Sequence, residues 1–515
     1  MTPTESSPKW EGPKSNRQLL GHPIGLFVLF FTEMWERFSY YGMRGLLKLY
    51  MVNYLFVTIR QTYQGKAYDA TGNPDDVLGW GFVRSLLPKI DITDPQIILQ
   101  CIEPAIKRLS TGDGAVALEM AQRIAAENCA VSPNASVLYG WYTGLVYLTP
   151  LLGGYLADKY LGQKRAVFLG GTIMALGQFM LFGMESMFFV GLVMLIIGNG
   201  LFKPNISTQV GSLYPPGDSR RDGAFTIFYM GINLGAFLCS FVCGTLAVSY
   251  GWRYGFLAAG VGMCIGMVVQ VFGQSFLAPD TLQTRVAAGP SAAPVKQPLN
   301  TDERGRVMAL IILCALNIVF WAVYEQQGNT MQTWADEQTT WPTILGFEIP
   351  ATWFQSANPF FIFLLAPFFD MFWRWQNKKG SEPSSVAKMA IGCVILGLSF
   401  IVMIIGAKIV GADKGSWFWP IFCTLLLTVG ELYLSPIGLS LVTKVSPVRI
   451  VSMMMGMWFL SSFFGNILSG YIGMLYTTWT KSNFFTLLMV LGLAAGAAIW
   501  LFNKKLKTAM GTSAG

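Results

Sequence analysis

Apolar stretches long enough to cross a lipid bilayer recur from one end of this 515-residue chain to the other. A transmembrane helix needs about 20 consecutive, mostly apolar residues. Stretches of this kind lie at 23–56, 136–157, 165–183, 187–209, 222–248, 253–276, 306–332, 351–373, 386–408, 416–443, 450–476 and 483–503. Only 12% of the residues are charged, about half the share found in soluble domains. The sequence therefore predicts an all-α integral membrane protein with about twelve transmembrane helices.

Two polar segments interrupt this series of apolar stretches. Residues 277–305 are rich in proline, alanine and polar side chains, and they predict a linker between two six-helix halves, 23–276 and 306–503. Residues 57–134, between the first two stretches, show apolar side chains at helical spacing. We expect a small, mostly α-helical insertion there, with a turn at 112–114.

The basic residues predict the orientation of the chain. Lysine and arginine are concentrated in the short segments that follow the second, fourth, eighth and tenth stretches and at the end of the chain. Basic residues close to membrane helices mark the cytoplasmic side. We therefore expect 1–22, the linker and 504–515 to be cytoplasmic in the plasma (inner) membrane, and the insertion to lie outside. This distribution accounts for the net charge of +8 without any binding of nucleic acid.

Two of the eight cysteines, Cys101 and Cys129, lie outside the apolar stretches, and both belong to the insertion. They stand on either side of the predicted turn at 112–114. Because thiols in an oxidising compartment persist as disulfides when they are close together, we expect a Cys101–Cys129 disulfide in a helical hairpin. The alternative is a pair of small apolar residues without a bond between them.

The first apolar stretch holds an unusual number of charges, Glu33, Glu36, Arg37 and Arg44. A charged side chain at the centre of a bilayer costs about 2.5–3.5 kcal/mol. At about 100° per residue, Glu33, Arg37 and Arg44 fall on one helix face together with Tyr40. This polar face predicts a functional site, and the alternative is an ion cluster that only binds this helix to its neighbours.

Three more charged residues, Lys203, Glu325 and Glu431, stand alone in apolar stretches, and helix breakers or small polar residues follow each of them. Each needs a partner on another helix. We expect the arginines of the first helix to pair with the carboxylates, and Lys203 to pair with a glutamate of the first helix. Amides and tryptophans in other stretches indicate the lining of a cavity: Asn233, Trp321, Asn358 and Trp458.

These residues occur in motifs that resemble those of the proton-dependent oligopeptide transporter family. Residues 33–44 are similar to its ExxERFxYY signature, and 228–235 resemble its second signature. Further matches follow in chain order at 153–158, 203–205, 354–359 and 458–462. The resemblance covers nearly all the membrane portion and implies the major facilitator fold, in which two six-helix halves rock about a central site.

The resemblance also implies a role for individual residues. The proton would be handled by Glu33, Glu36, Arg37, Lys203 and Glu325. A salt bridge between Arg44 and Glu325 would close the outer side, and the peptide's amino group would meet Glu431, Asn233 and Asn358. The peptide's carboxylate would meet Arg37, Arg44 and Lys203. The remaining substrate-binding residues would be Tyr40, Tyr41, Tyr147, Trp321, Glu325, Trp458 and Ser462.

The chain departs from the family pattern in places. Animal members carry a histidine near the start of the second helix, where this chain has Gly140, and its one histidine is His22. Carboxylates would therefore carry the proton coupling. The linker is too short for the two extra helices found in many bacterial members, and the insertion is not part of the pattern.

We expect a proton-coupled symporter that imports di- and tripeptides, with the proton gradient as co-substrate and no other cofactor or metal. The alternative is a transporter of nitrate or of a peptide-like metabolite on the same fold, but Glu431 suits an amine and favours peptides. No repeated channel filter and no HExxH, CxxC or GxSxG motif is present in the sequence, so neither a channel nor an enzyme is expected. An oligomer is not required.

Overall fold

The computed structural model describes residues 12–13, 15, 17–57, 61–63, 66–68, 76–110, 117–215, 218, 220–280, 299–344, 346–411, 413–447 and 450–510. The predicted turn at 112–114 and most of the predicted linker lie outside these residues. Within them, nine helices are long and apolar enough to cross a membrane. The nine are Gln163–Gly183, Glu185–Ser212, Gly223–Tyr250, Trp252–Phe276, Thr301–Glu337, Ala351–Lys378, Ser385–Val410, Phe418–Val445 and Lys481–Asn503.

Ten helices precede the predicted linker in the described part of the chain. They are α1 (Ile24–Tyr50), α2 (Trp80–Leu86), α3 (Pro95–Ile97), α4 (Glu103–Ser110), α5 (Leu118–Leu156), α6 (Gln163–Gly183), α7 (Phe188–Ser212), α8 (Arg220–Cys239), α9 (Thr245–Tyr250) and α10 (Trp252–Phe272). Four short π-helical stretches continue or join them: Met51–Leu55, Ile98–Ile102, Ala157–Leu161 and Ser240–Gly244.

The described residues after the linker form α11 (Thr301–Tyr324), α12 (Thr330–Glu337), α13 (Ala357–Lys378), α14 (Ser385–Val410), α15 (Phe418–Val445), α16 (Val451–Thr478) and α17 (Lys481–Met510). A 3₁₀ turn, Glu325–Gln327, follows α11 directly. Three predicted stretches, 23–56, 136–157 and 450–476, are not among these nine helices. Helices α1, α5 and α16 account for these three stretches. Pro204 and Pro436, which follow Lys203 and Glu431, lie inside continuous helices, so these prolines do not interrupt the predicted apolar stretches 187–209 and 416–443.

The few strands are two or three residues long and pair locally. β1 (Gln18–Leu19) pairs antiparallel with β2 (His22–Pro23), β3 (Gln61–Tyr63) with β4 (Lys66–Tyr68), and β6 (Thr343–Ile344) with β7 (Phe347–Glu348). β5 (Thr339–Thr340) pairs parallel with β8 (Gly415–Ser416). The β3–β4 hairpin belongs to the insertion, which therefore contains strands as well as the predicted helices.

The buried apolar side chains form two large clusters that divide at the same place in the chain as the predicted linker. One cluster runs from Leu26 to Leu277, and the other runs from Ala309 to Ile499. We refer to the helices of these clusters as the first and second halves. The two ends of the helix bundle are called the insertion end, where the described residues of the insertion lie, and the linker end.

Helix α5 is one continuous helix of 39 residues, although the sequence predicts separate helices on either side of residue 134. At about 1.5 Å per residue it is about 58 Å long, roughly twice the thickness of the hydrocarbon core of a bilayer. Pro133 lies within it without ending it. The predicted boundary of the insertion at 134 is therefore wrong as a helix boundary, because the helix that leaves the insertion continues into the second apolar stretch.

The insertion has a small core of its own that contains the predicted cysteine pair. Cys101 and Cys129 are joined in a disulfide, next to the buried side chains of Ile97, Ile102 and Ala125. The bond ties the stretch between α3 and α4 to α5. The same stretch also contacts α16 of the second half. The insertion is thus attached covalently to the first half and touches the second.

We expect peptide mapping of protein purified without reductant to recover Cys101 and Cys129 in one linked fragment. For a loop closed over a sequence separation of 28 residues, the bond should stabilise the insertion by roughly 3 kcal/mol. Replacing both cysteines by serine should therefore speed proteolysis of the insertion but preserve transport, because neither residue lines the central cavity. The variant Cys264→Ser, which removes a free thiol, is the control. Alkylatable thiols at 101 and 129 in untreated protein would contradict the pairing.

Candidate functional site

A cavity of about 300 Å³ lies between the two halves, and both halves line it. Most of the residues that the sequence predicts to bind substrate take part in its wall. They are Tyr41, Arg44, Tyr147, Lys203, Asn233, Trp321, Glu325, Asn358, Glu431, Trp458 and Ser462. The structure therefore brings together side chains from eight helices and from the turn that follows α11.

Two predicted substrate-binding residues, Arg37 and Tyr40, do not line this cavity. Both are buried within the first half, at 2% and 3% exposure. The guanidinium of Arg37 is held by carboxylates of its own helix and lies 5.4 Å from the ring centre of Tyr40. Both side chains therefore lie behind the cavity wall in this structure, and their contact with substrate stays a prediction.

The carboxylates Glu33 and Glu36 form a buried cluster around Arg37. Arg37 Nε lies 2.9 Å from Glu33 Oε1 and 2.5 Å from Glu36 Oε2. Asn199 of α7 donates from Nδ2 to Glu36 Oε1 at 3.2 Å. Asn199 was not predicted, although an amide one helical turn before Lys203 in an apolar helix is a signal that could have indicated it. Two carboxyl groups and one guanidinium thus share a buried site.

Lys203 does not make the predicted ion pair with Glu33 or Glu36. Within the described ranges, no carboxylate lies within salt-bridge distance of its ammonium group. The ammonium lies 4.6 Å from the ring centre of Tyr147 instead, an arrangement in which the ring's electrons attract the cation. The cationic head is therefore presented to the cavity rather than to the carboxylate cluster.

Arg44 and Glu325 form the predicted ion pair between α1 and the turn after α11. Arg44 also donates from Nε to the hydroxyl of Tyr139 on α5 at 2.8 Å. Both charged side chains are largely buried, so each depends on the other for compensation of its charge. Tyr139 was not predicted, and nothing in its sequence context indicates this contact.

Glu431 is held by two neutral donors and by no cation in the part of the chain that the structure describes. The hydroxyl of Tyr324 donates to Glu431 Oε2 at 2.8 Å, and Asn358 Nδ2 donates to the same oxygen at 2.9 Å. Asn358 was predicted in this environment, and Tyr324 was not. Asn233 also lines the cavity, and its Nδ2 donates to the backbone oxygen of Tyr229.

The two halves approach each other closely at the insertion end. A methyl group added to Gly140 of α5 would lie 2.8 Å from the Cα of Gly470 on α16, which leaves room only for glycine. Asn53 donates to Asp336 Oδ2 at 2.8 Å across the same end. Together with Arg44 and Glu325, these contacts close the cavity on that side.

The sequence and the fold both match known transporters. The family model described as "PTR2: POT family" matches residues 164–288 and 280–490. The peptide transporter YePEPT of Yersinia enterocolitica subsp. palearctica is 32% identical over 89% of this chain and 88% of that protein. A di-/tripeptide transporter of Lactococcus lactis subsp. cremoris is 30% identical over 97% and 98%. The crystal structure of a mutant of the peptide transporter POT in complex with alafosfalin superimposes with a TM-score of 0.74, at 30% identity over 97% and 98% of the two chains.

Proposed function

Because this chain belongs to the POT family, we propose that it is a peptide transporter that imports di- and tripeptides together with protons by alternating access. It is a multi-pass membrane transporter and not an enzyme. In this proposal the two halves rock about the central cavity. The insertion end faces outside, and both termini lie in the cytoplasm of a cell whose plasma membrane holds the protein.

The observation that carries this proposal is the distribution of charge around the cavity. Lys203 of the first half presents a cation that has no carboxylate partner among the described residues, and Glu431 of the second half presents an anion bound only to neutral donors. A peptide with free ends carries one charge of each sign. Its amino group fits Glu431 and its carboxylate fits Lys203, so bound peptide would draw the two halves together.

The same charge distribution argues against nitrate or another simple anion as the substrate. An anion could pair with Lys203, but it would leave the partly buried Glu431 without a compensating cation. An unpaired charge in such an environment is costly. A zwitterion pairs with both Lys203 and Glu431 at the same time.

Proton coupling rests on the cluster of Glu33, Glu36 and Arg37. Two carboxylates share one guanidinium there, so the cluster carries an excess negative charge that a proton can neutralise. Lys203 lies on the same helix as Asn199, which contacts Glu36. Binding of a peptide carboxylate to Lys203 would weaken this cation's influence on the cluster and favour uptake of the proton.

The test of the peptide assignment is uptake by protein reconstituted in liposomes. A proton gradient should drive accumulation of radiolabelled dialanine, and dialanine should compete for this uptake at least about ten-fold better than N-acetyl-dialanine, because a charge-assisted hydrogen bond contributes roughly 1.5–3 kcal/mol. Glu431→Gln should narrow this ratio, because it should weaken the binding of the free peptide only.

The matched control is Glu127→Gln, which removes a carboxylate paired with Arg123 on the exposed surface of the insertion. It should keep the wild-type ratio. Equal competition by the free and acetylated peptides against the wild-type protein would show that Glu431 does not bind the amino group.

A further inference from the structure

Tyr324 touches the anionic wall of the cavity in a way that the peptide assignment alone does not require. It is the last residue of α11, and its hydroxyl donates to Glu431 on α15. Its ring stacks on Phe320 at an interplanar angle of 11° and meets Trp321 edge-on. Two aromatic neighbours of its own helix therefore fix the direction in which the hydroxyl points.

The hydrogen bonds around Glu431 determine which atoms remain for a substrate. The hydroxyl of Thr428 donates its hydrogen to the backbone oxygen of Thr424 at 2.8 Å. The oxygen of Thr428 must therefore accept from Asn358 Nδ2, at 3.0 Å. Because Asn358 Nδ2 has two hydrogens and the second goes to Glu431 Oε2, the amide nitrogen has none left to donate.

Both donors meet the same carboxylate oxygen. Tyr324 and Asn358 donate to Oε2 of Glu431, and no hydrogen bond to Oε1 is present in the described portion of the protein. The groups left to face the cavity are Glu431 Oε1 and the Asn358 side-chain oxygen, and both are acceptors. An ammonium group, which has three donors and no acceptor, complements this pair of atoms.

We propose that Tyr324 is a positioning residue for the substrate's amino group, because its hydroxyl holds Glu431 so that Oε1 faces the cavity. This inference rests on the proposed function, in which Glu431 receives the amino group. Tyr324 itself does not touch the substrate's charge. Without its hydroxyl, Glu431 has one donor fewer on Oε2, and its carboxylate can rotate away from the orientation that the ammonium group needs.

The test compares Tyr324→Phe with the wild-type protein in competition assays with dialanine and N-acetyl-dialanine. The variant keeps the ring and removes only the hydroxyl. Dialanine should compete roughly three- to ten-fold more weakly, the loss expected for one hydrogen bond, and N-acetyl-dialanine should compete as it does against the wild type. The unchanged acetylated peptide also verifies that the variant is folded.

The chain offers a matched control and a second check. Tyr54→Phe removes a hydroxyl that donates to Glu185 at 2.7 Å, a bond of the same type away from the cavity, and it should leave the ratio of the two peptides unchanged. In a Glu431→Gln background, Tyr324→Phe should have no further effect on the ratio, because two changes that act through one contact are not additive.

Each outcome separates this inference from the function on which it rests. If the wild type prefers the free peptide and Tyr324→Phe preserves the full preference, the positioning role is wrong and the peptide assignment stands. If Tyr324→Phe weakens the competition by both peptides equally, the role of Tyr324 is merely structural. If the wild type does not distinguish the two peptides, the assignment of Glu431 to the amino group is wrong.

Discussion

Replacing Glu36 by glutamine should abolish the accumulation of peptide against its gradient, while exchange of labelled for unlabelled peptide across the membrane stays measurable. Glu36 is fully buried and contacts both Arg37 and Asn199. A glutamine has nearly the same shape and can still accept a hydrogen bond from Asn199. It cannot take up or release a proton, so the conformational cycle loses its connection to the proton gradient.

The two assays use the same liposomes and differ only in the driving force. Uptake is measured with an imposed proton gradient, and exchange is measured with unlabelled dialanine inside and no gradient. Glu303→Gln, which alters the side chain that accepts from the backbone of the N-cap residue Asn300 at the start of α11, serves as a carboxylate control and should transport normally. Full gradient-driven accumulation by Glu36→Gln would show that the proton binds elsewhere.

Replacing Glu325 by glutamine should shift the protein strongly towards the state that is open at the insertion end. The change leaves Arg44 without its anionic partner in a largely buried position. Removing one partner of a buried ion pair costs about 3–5 kcal/mol. If the pair forms only while the insertion end is closed, as we propose, this cost falls on the closed state, and about 3 kcal/mol changes a two-state ratio by roughly a hundred-fold.

Distances between spin labels can measure this shift. Exposed positions at the insertion end are available in each half, at Ser85 in the insertion and at Lys414 after α14. The wild type should show one short distance, and Glu325→Gln should add a dominant longer one. Asp370→Asn removes an exposed ion pair with Arg374 and should leave the distribution unchanged. An unaltered distribution in Glu325→Gln would contradict the closing role of the pair.

The positions of the membrane helices could be predicted from sequence because burial in lipid demands long apolar stretches. The extent of α5 could not be predicted in this way. The apolar pattern begins near residue 136, but the helix begins at Leu118, since the residues before 136 form backbone hydrogen bonds equally well in a helix outside the bilayer. Apolar patterning reports where a helix meets lipid, and it does not report where its hydrogen bonding starts.

The charged residues of the site could be predicted because each charge in an apolar stretch is costly and needs an explanation. Their partners were harder to predict. Lys203 faces the ring of Tyr147 and not a carboxylate, and the choice depends on side-chain directions across two helices. Asn199, Tyr139 and Tyr324 are neutral, so their burial costs less and their presence in an apolar stretch attracts little notice, although each one holds a charged group.

The unbroken course of α5 makes the insertion a lever arm. The part of this helix that precedes residue 136 is about 27 Å long at about 1.5 Å per residue, and the disulfide fastens the neighbouring stretch to it. A tilt of the helix by about 10° at the membrane surface would carry its tip through roughly 5 Å. A small rotation inside the bilayer is thus amplified at an exposed site, where a fluorophore or an antibody fragment could follow single transport cycles in real time.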